Sequence, residues 1–395
     1  MNLLEELKLT TGDNVQRKKI SIRGENKIFT VYKIPLEYLK YNKKNGRIAT
    51  YISQFIDEGH EFPNDTEKFN NIIEKFIEDS NPDALKKTKQ NIKAMSQREP
   101  AVVLSNGIII DGNRRFTSLR QLSKEGAGAE FNYLEAAILD AEKYSDKEIK
   151  RLELNLQHAV ESRVDYNPID RLVDIYRDLI ENDDAFTIEE YATETQNQIS
   201  KVKEDLEIAK LLVDYLEFIN KPKKFYIARY QKVDGPLREI YKILKSNKID
   251  ESDKDDIKEF LFTNIMALDG DVTRRIRELK NVFEDSKLSE EVLLELDDDE
   301  LLDDVTDYFN NNESTDKVEL SNELTDKVRD ITENFVERKK YKNARNQPME
   351  MLKKAAISLK DVDRDSLKRL DEKSKKKFTE LLDDVKKQID ELSDI

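Results

Sequence analysis

One segment constrains the fold of this chain more than any other: residues 101–122, AVVLSNGIIIDGNRRFTSLRQL. Val102, Val103 and Leu104 form an apolar, β-branched run. Ser105-Asn106-Gly107 is a hairpin signal, and Ile108, Ile109 and Ile110 form the return strand. Asp111-Gly112-Asn113 ends that strand, and Arg114 to Leu122 reads as a helix. A glycine between strand and helix lets the backbone approach a ligand closely. A helix N-terminus presents unpaired N–H groups that favour anions. Arg114 and Arg115 in the first turn can fork onto phosphate oxygens, and Thr117 and Ser118 add hydroxyl donors. The same residues also suit a surface hairpin whose arginines pair with Asp or Glu, and the pattern alone leaves both readings open.

The rest of the chain supplies α and β unequally. Alternation in residues 18–34 predicts two strands through Ile20, Ile22, Ile28, Thr30 and Tyr32, turning near Gly24-Glu25-Asn26. Helical spacing follows across 36–80 and 84–97, and Phe131–Leu139 reads as a further strand. From Ser145 onward only helices are expected, at 146–160, 167–182, 187–195, 197–219, 236–247 and 254–283. An acidic helical pair follows at 290–307, where ten acids meet no Lys or Arg. A linker is expected at Asn310–Thr315, then helices over 317–345 and 347–393. The expectation is an α+β chain with three parts: a mixed α/β domain at 1–142, a helical domain at 143–285 and an acidic helical region at 286–395. The apolar residues Leu367, Leu370, Phe378, Leu381, Val385, Ile389 and Leu392 recur at helical spacing, as on a seam that packs on a neighbouring helix or a second copy.

Composition removes several function classes. Among 395 residues there is no cysteine, which excludes disulfides, thiolate zinc sites and cysteine nucleophiles. Two histidines, His60 and His158, cannot build a histidine-rich metal site. No apolar run approaches the ~20 residues of a membrane span. The acidic opening MNLLEELKLTTGD is unlike a signal peptide, so no membrane contact and a cytoplasmic location are expected. A net charge of −15 disfavours indiscriminate nucleic-acid binding. Residues 221–248 run against that balance, with nine Lys or Arg against two acids and interleaved aromatics. Basic residues mixed with aromatics suit a nucleic-acid backbone, which nominates Lys223, Lys224, Arg229 and Lys232. A second basic run spans Arg338-Lys339-Lys340 to Arg345.

Pro100, Val102, Val103, Gly112, Arg114 and Arg115 together resemble the core of the ParB/sulfiredoxin superfamily. Ile34-Pro35-Leu36 and Asn45-Gly46-Arg47 resemble its opening strand and Asn-x-Arg turn. Asn155-Leu156-Gln157 is similar to its Glu-Asn-Leu-Gln-Arg motif, although Leu154 replaces the Glu, with Glu153 one residue away, and His158 replaces the Arg. Asn167-Pro168-Ile169-Asp170 resembles the segment that opens the family's helical domain. A helix-turn-helix-like pair is expected at 187–212, where Thr187 and Glu190 form a capping box. The likeness covers about residues 30–215. It implies a nucleoside triphosphate (CTP or ATP) with Mg2+, held by Gly112, Asn113, Arg114, Arg115, Thr117 and Ser118. Asn155 and Glu153 would support the metal. Glu153 is also the one acid placed to assist a slow hydrolysis, as the catalytic candidate. DNA would be engaged under nucleotide control through Gln198, Lys201 and Lys203 and the basic segment. Relatives dimerise through the C-terminal region, so the resemblance implies a homodimer through the C-terminal helices.

Sulfiredoxin chemistry needs a cysteine and is excluded. Asp111, Gly112, Arg115, Thr117 and Leu119 also resemble the DGQQR-type NTPases of phage defence. No histidine follows His158, so the His-Asn-His nuclease that ends many of those proteins is not expected. A third reading is an interaction scaffold with a relic phosphate turn, whose acidic segment 290–307 takes a basic protein partner.

Overall fold

Four consecutive apolar residues at Ala101–Leu104 fit a strand only if both its faces are covered. The computed structural model shows that arrangement. It describes residues 2–7, 9–11, 15–22, 25–160, 167–181, 186–298, 300–312 and 318–393. Gly24 of the expected turn and Glu313–Thr315 of the expected linker lie outside the described residues, as do the side chains of Gln157 and His158. After a short helix α1 (Leu3–Glu6) come β1 (Arg17–Ile22), β2 (Glu25–Pro35), β3 (Lys40–Tyr41), β4 (Ala101–Leu104), β5 (Ile108–Asp111) and β6 (Tyr133–Leu139). They form one mixed sheet in the order β1-β2-β6-β4-β5-β3. β4 runs parallel to β6 and antiparallel to β5. Alternate residues of β4 therefore face opposite cores. Ala101 and Val103 pack with Ile109, Phe116, Leu119 and Leu122, whereas Val102 and Leu104 pack with Ile110, Leu152 and Leu156.

The first face is covered by α2 (Ala49–Asp57), α3 (Thr66–Ser80), α4 (Pro82–Met95) and α5 (Asn113–Lys124), and the second by α6 (Asp146–Val160). Arg120, 5% exposed, holds α5 on α3. It donates to Glu74 at 2.6 Å, to both oxygens of Glu67 at 2.9 and 3.0 Å, and to Asn71 at 2.8 Å. Removing one partner of a buried pair typically costs about 3–5 kcal/mol. Lys124 also reaches Glu74, at 3.2 Å, so Arg120→Met should fall near the low end of that range. Urea denaturation of Arg120→Met, Glu74→Gln and the double variant should show strong coupling; additive effects would contradict the assignment.

The remainder is helical. α7 (Pro168–Tyr176) continues as a π-helical segment, Arg177–Glu181, and is followed by α8 (Ile188–Glu194), α9 (Ile199–Phe218), α10 (Phe225–Gln231) and α11 (Asp234–Leu244). The helix expected over 254–283 is two helices, α12 (Lys254–Ala267) and α13 (Val272–Phe283). Gly270 lies between them in the left-handed region (φ +76°), and the Asp271 side chain caps α13 through the amide of Arg274. The acidic segment forms the expected pair, α14 (Ser286–Asp298) and α15 (Leu301–Asn311), burying Val292, Leu296, Leu301, Val305 and Phe309. The break expected before Pro348 is absent: α16 runs from Asn322 to Lys360 through that proline. A proline deletes one intrahelical bond, and the turns on both sides keep theirs.

By contacts the chain divides into residues 1–332 and 333–395. The sheet and the helices through α15 lie in the first unit. The second contains the later turns of α16, then α17 (Arg364–Lys368) and α18 (Glu372–Ser393). Along α18, Phe378, Leu382 and Val385 are half-buried, while Leu381, Ile389 and Leu392 are exposed. Among the described residues, no helix is long and apolar enough to cross a membrane.

Candidate functional site

The turn between β5 and α5 is built around Gly112. Its φ is +105°, and a Cβ there would lie 2.7 Å from the Cβ of Ala101 and 3.2 Å from the Arg115 guanidinium. No side chain caps α5, so the first-turn N–H groups are not satisfied by a capping residue. Opposite lies a 3-10 turn, Gly46–Ile48, which leads directly into α2. Asn45, 5% exposed, accepts from the amide of Arg47 at 3.1 Å and shapes that turn. The two turns border a small cleft, open to solvent, lined by Asn45, Arg47, Asp111, Gly112, Asn113 and Arg114 together with Ser80 and isoleucines. The Oδ1 atom of Asn113 is buried there without a hydrogen-bond partner. Two arginines, a helix N-terminus and an unspent acceptor thus meet in one concavity.

The other expected phosphate contacts are engaged elsewhere. Arg115 donates to Asp111 at 2.8 Å and to the Glu99 carbonyl at 2.6 Å. Lys18 reaches the Pro100 carbonyl at 2.5 Å and Asp111 at 3.7 Å. Burial holds the Lys18 amine below its ordinary range, against the opposing pull of Asp111. Arg115 thereby ties α5 to the start of β4. Thr117 and Ser118 are fully buried. Their hydroxyls bond back to the carbonyls of Asn113, at 3.0 Å, and Arg114, at 2.9 Å, and Thr117 also meets the Tyr41 hydroxyl at 2.8 Å. The side chains of Arg115, Thr117 and Ser118 fix the turn and do not line the cleft. Arg47 is a cleft cation absent from the expected ligand set. Its signal was the Asn45-Gly46-Arg47 turn.

Glu153 and Asn155 do not converge. Residues two apart on a helix are about 200° apart around its axis. Glu153 is 2% exposed and accepts from Asn42 at 3.4 Å. Burial pushes its carboxyl up to about 7, with Lys150 opposing and Asp174 and Asp178 reinforcing. Asn155 points to α8 and donates to Glu194 at 2.9 Å. Neither side chain lines the cleft. The two side chains are directed to different partners, Asn42 and Glu194. Among the described residues, no group of three or more acids or histidines is arranged to hold a metal.

The helix pair α8–α9 opens on the expected capping box, Thr187 with Glu190. At the leading end of α9, Gln198, Ser200 and Lys203 are exposed. Lys201 is half-buried and paired with Glu204 at 2.7 Å and Asp205 at 3.3 Å. The basic segment does not form one phosphate-facing surface. Lys223 pairs with Glu181 at 3.0 Å, and Lys224 with Asp57 at 3.0 Å. Arg229, with a side chain 16% exposed, lies 3.4 Å from Asp170. Of the four nominated cations, Lys223, its side chain 74% exposed, and Lys232, the C-cap of α10, are exposed. Much of the local positive excess is therefore neutralised by acids of α2, α7 and the π segment.

Compared with known proteins, no family model matches the chain and no curated protein matches it, so the ParB likeness rests on the residues quoted above.

Proposed function

We propose that this chain is a ParB-like nucleotide-binding protein that engages DNA under nucleotide control. The observation that carries the reading is the cleft, where Arg47 and Arg114 meet at the uncapped start of α5. Both arginines suit triphosphate oxygens. The unpartnered Asn113 Oδ1 could accept from a ribose hydroxyl, a base amino group or a magnesium-bound water. Magnesium would be held chiefly by the triphosphate and its own waters. Glu153 is buried and does not line the cleft, so CTP or ATP turnover should be slow.

In this reading DNA meets the leading edge of α9 at Gln198, Ser200 and Lys203, and self-association uses the apolar stripe of α18. Lys224 and Arg229 serve packing instead.

Calorimetry with CTP, ATP, GTP and UTP in magnesium tests the cleft. Arg47→Ala and Arg114→Ala should each weaken binding roughly 10- to 150-fold, corresponding to about 1.5–3 kcal/mol for a charged hydrogen bond. If wild type binds none of the four, the reading is wrong. A DNA shift assay with and without the bound nucleotide then tests the control step, and a shift indifferent to nucleotide would remove it.

A further inference from the structure

Arg229 has partners that a DNA contact would not need. Its Nη1 donates to the Thr50 hydroxyl at 2.9 Å and its Nη2 to the Tyr51 hydroxyl at 2.6 Å. The guanidinium also lies 4.0 Å from the centroid of the Tyr51 ring. Asp170, 1% exposed, accepts from both the amide and the hydroxyl of Thr50, at 3.3 and 2.7 Å. Residues of α7 and α10 thus close on the first turn of α2. That turn is continuous with the 3-10 turn carrying Arg47, and Ile48, at the N-cap position, offers no side-chain cap. The Asn45 side chain shapes the 3-10 turn, but the start of α2 has no side-chain cap, and the clamp adds its constraint there. Further contacts on α2 come from the Lys223 carbonyl, which accepts from Ser53 at 3.1 Å in mid-helix, and from Lys224 and Tyr226, which reach Asp57 at 3.0 and 2.7 Å at the far end.

We propose that Arg229 is a positioning residue for the cleft: anchored on Asp170, it fixes the start of α2 and so the turn that presents Arg47 to the ligand. The affinity part of this proposal rests on the cleft being a nucleotide site. α7 and α10 then govern that affinity without touching the ligand. Because coupling between sites is reciprocal, ligand binding should in turn slow exchange at Thr50 and Tyr51.

The test uses the full chain. In Arg229→Met, hydrogen exchange without ligand should rise at residues 45–52. Affinity for CTP or ATP should fall about tenfold, the scale of a charged hydrogen bond, with far-UV circular dichroism unchanged. Arg229→Lys keeps a charge for Asp170 but lacks the fork that holds Thr50 and Tyr51 together, so its effects should be intermediate. Tyr226→Phe, at the far end of α2, should change neither readout. Should Arg229→Met fail to fold, Tyr51→Phe removes a single hydroxyl and should shift both readouts the same way by less. Unchanged exchange at 45–52 overturns the proposal whatever the binding result. Raised exchange with unchanged affinity overturns the control of the ligand. A wild type that binds no nucleotide sinks the proposed function, while raised exchange in Arg229→Met would still support the clamp on the turn.

Discussion

Gly112→Ala is expected to destabilise the sheet region by about 2–6 kcal/mol and to abolish ligand binding at the cleft. Two costs combine. A side chain at φ +105° sits in strained backbone, worth on the order of 1–3 kcal/mol. The new Cβ would also lie 2.7 Å from that of Ala101. Ala101 is fully buried in the sheet between β6 and β5, and overpacking a filled core costs about 1–3 kcal/mol. The neighbouring guanidinium cannot swing aside cheaply, because Arg115 is bonded to Asp111 and the Glu99 carbonyl. Gly59→Ala is the matched control. Its φ is +78° with nothing within 4 Å of the added carbon, so only the backbone cost applies. Urea denaturation followed by circular dichroism should separate the two variants clearly. Equal losses would mean that the turn relaxes and that glycine is not required by the contact with Ala101.

The sheet and its turn were legible because their signals are local. Four apolar residues before Ser105-Asn106-Gly107, three after it and then Gly112 leave few arrangements other than a buried hairpin entering a helix. The capping box at Thr187 and Glu190 was legible for the same reason. The divergence of Glu153 and Asn155 was also available, since helical geometry separates positions two apart, but the motif likeness drew attention to adjacency in sequence. The break between α12 and α13 was announced by Gly270 and Asp271. The basic segment was different in kind. A local count of charge cannot show where that charge is neutralised, and Asp57, Asp170 and Glu181 lie far away in sequence from the cations they meet. Arg229 thus looks like a surface cation in the sequence and is a clamp in the fold. The inward turn of Thr117 and Ser118 depends on how α5 rolls against β4 and β5, which only tertiary packing decides.

The carboxylates buried between the sheet region and α7 make stability depend on pH in an unusual direction. Burial pushes Glu153 up to about 7 and Asp170 up to about 6, with Lys150 and Arg229 respectively opposing. Asp178 is raised by burial as well, again against Lys150. In an unfolded chain such groups titrate near 4. Between about pH 4 and 7 the folded protein therefore holds protons that the unfolded chain has released. Their stabilising contribution is complete below pH 4 and is lost as pH rises through 6 to 7. Carboxylates whose range is lowered by partners, such as Glu67 beside Arg120, lose their contribution only in more acidic solution, outside that window. The melting temperature should accordingly be higher at pH 5.5 than at pH 8. Glu153→Gln cannot ionise, so it should match wild type only below about pH 4 and exceed it by a margin that widens from pH 5.5 to pH 8, to on the order of 3 kcal/mol. Lys150→Met removes the cation that opposes ionisation of Glu153 and Asp178 and should steepen the decline. Thermal melts of the three proteins from pH 5 to 8 decide the matter. Parallel curves for wild type and Glu153→Gln would show that Glu153 does not take up its proton on folding, and the buried cluster would then have to be charged throughout, with Lys150 and Arg47 as its counterions.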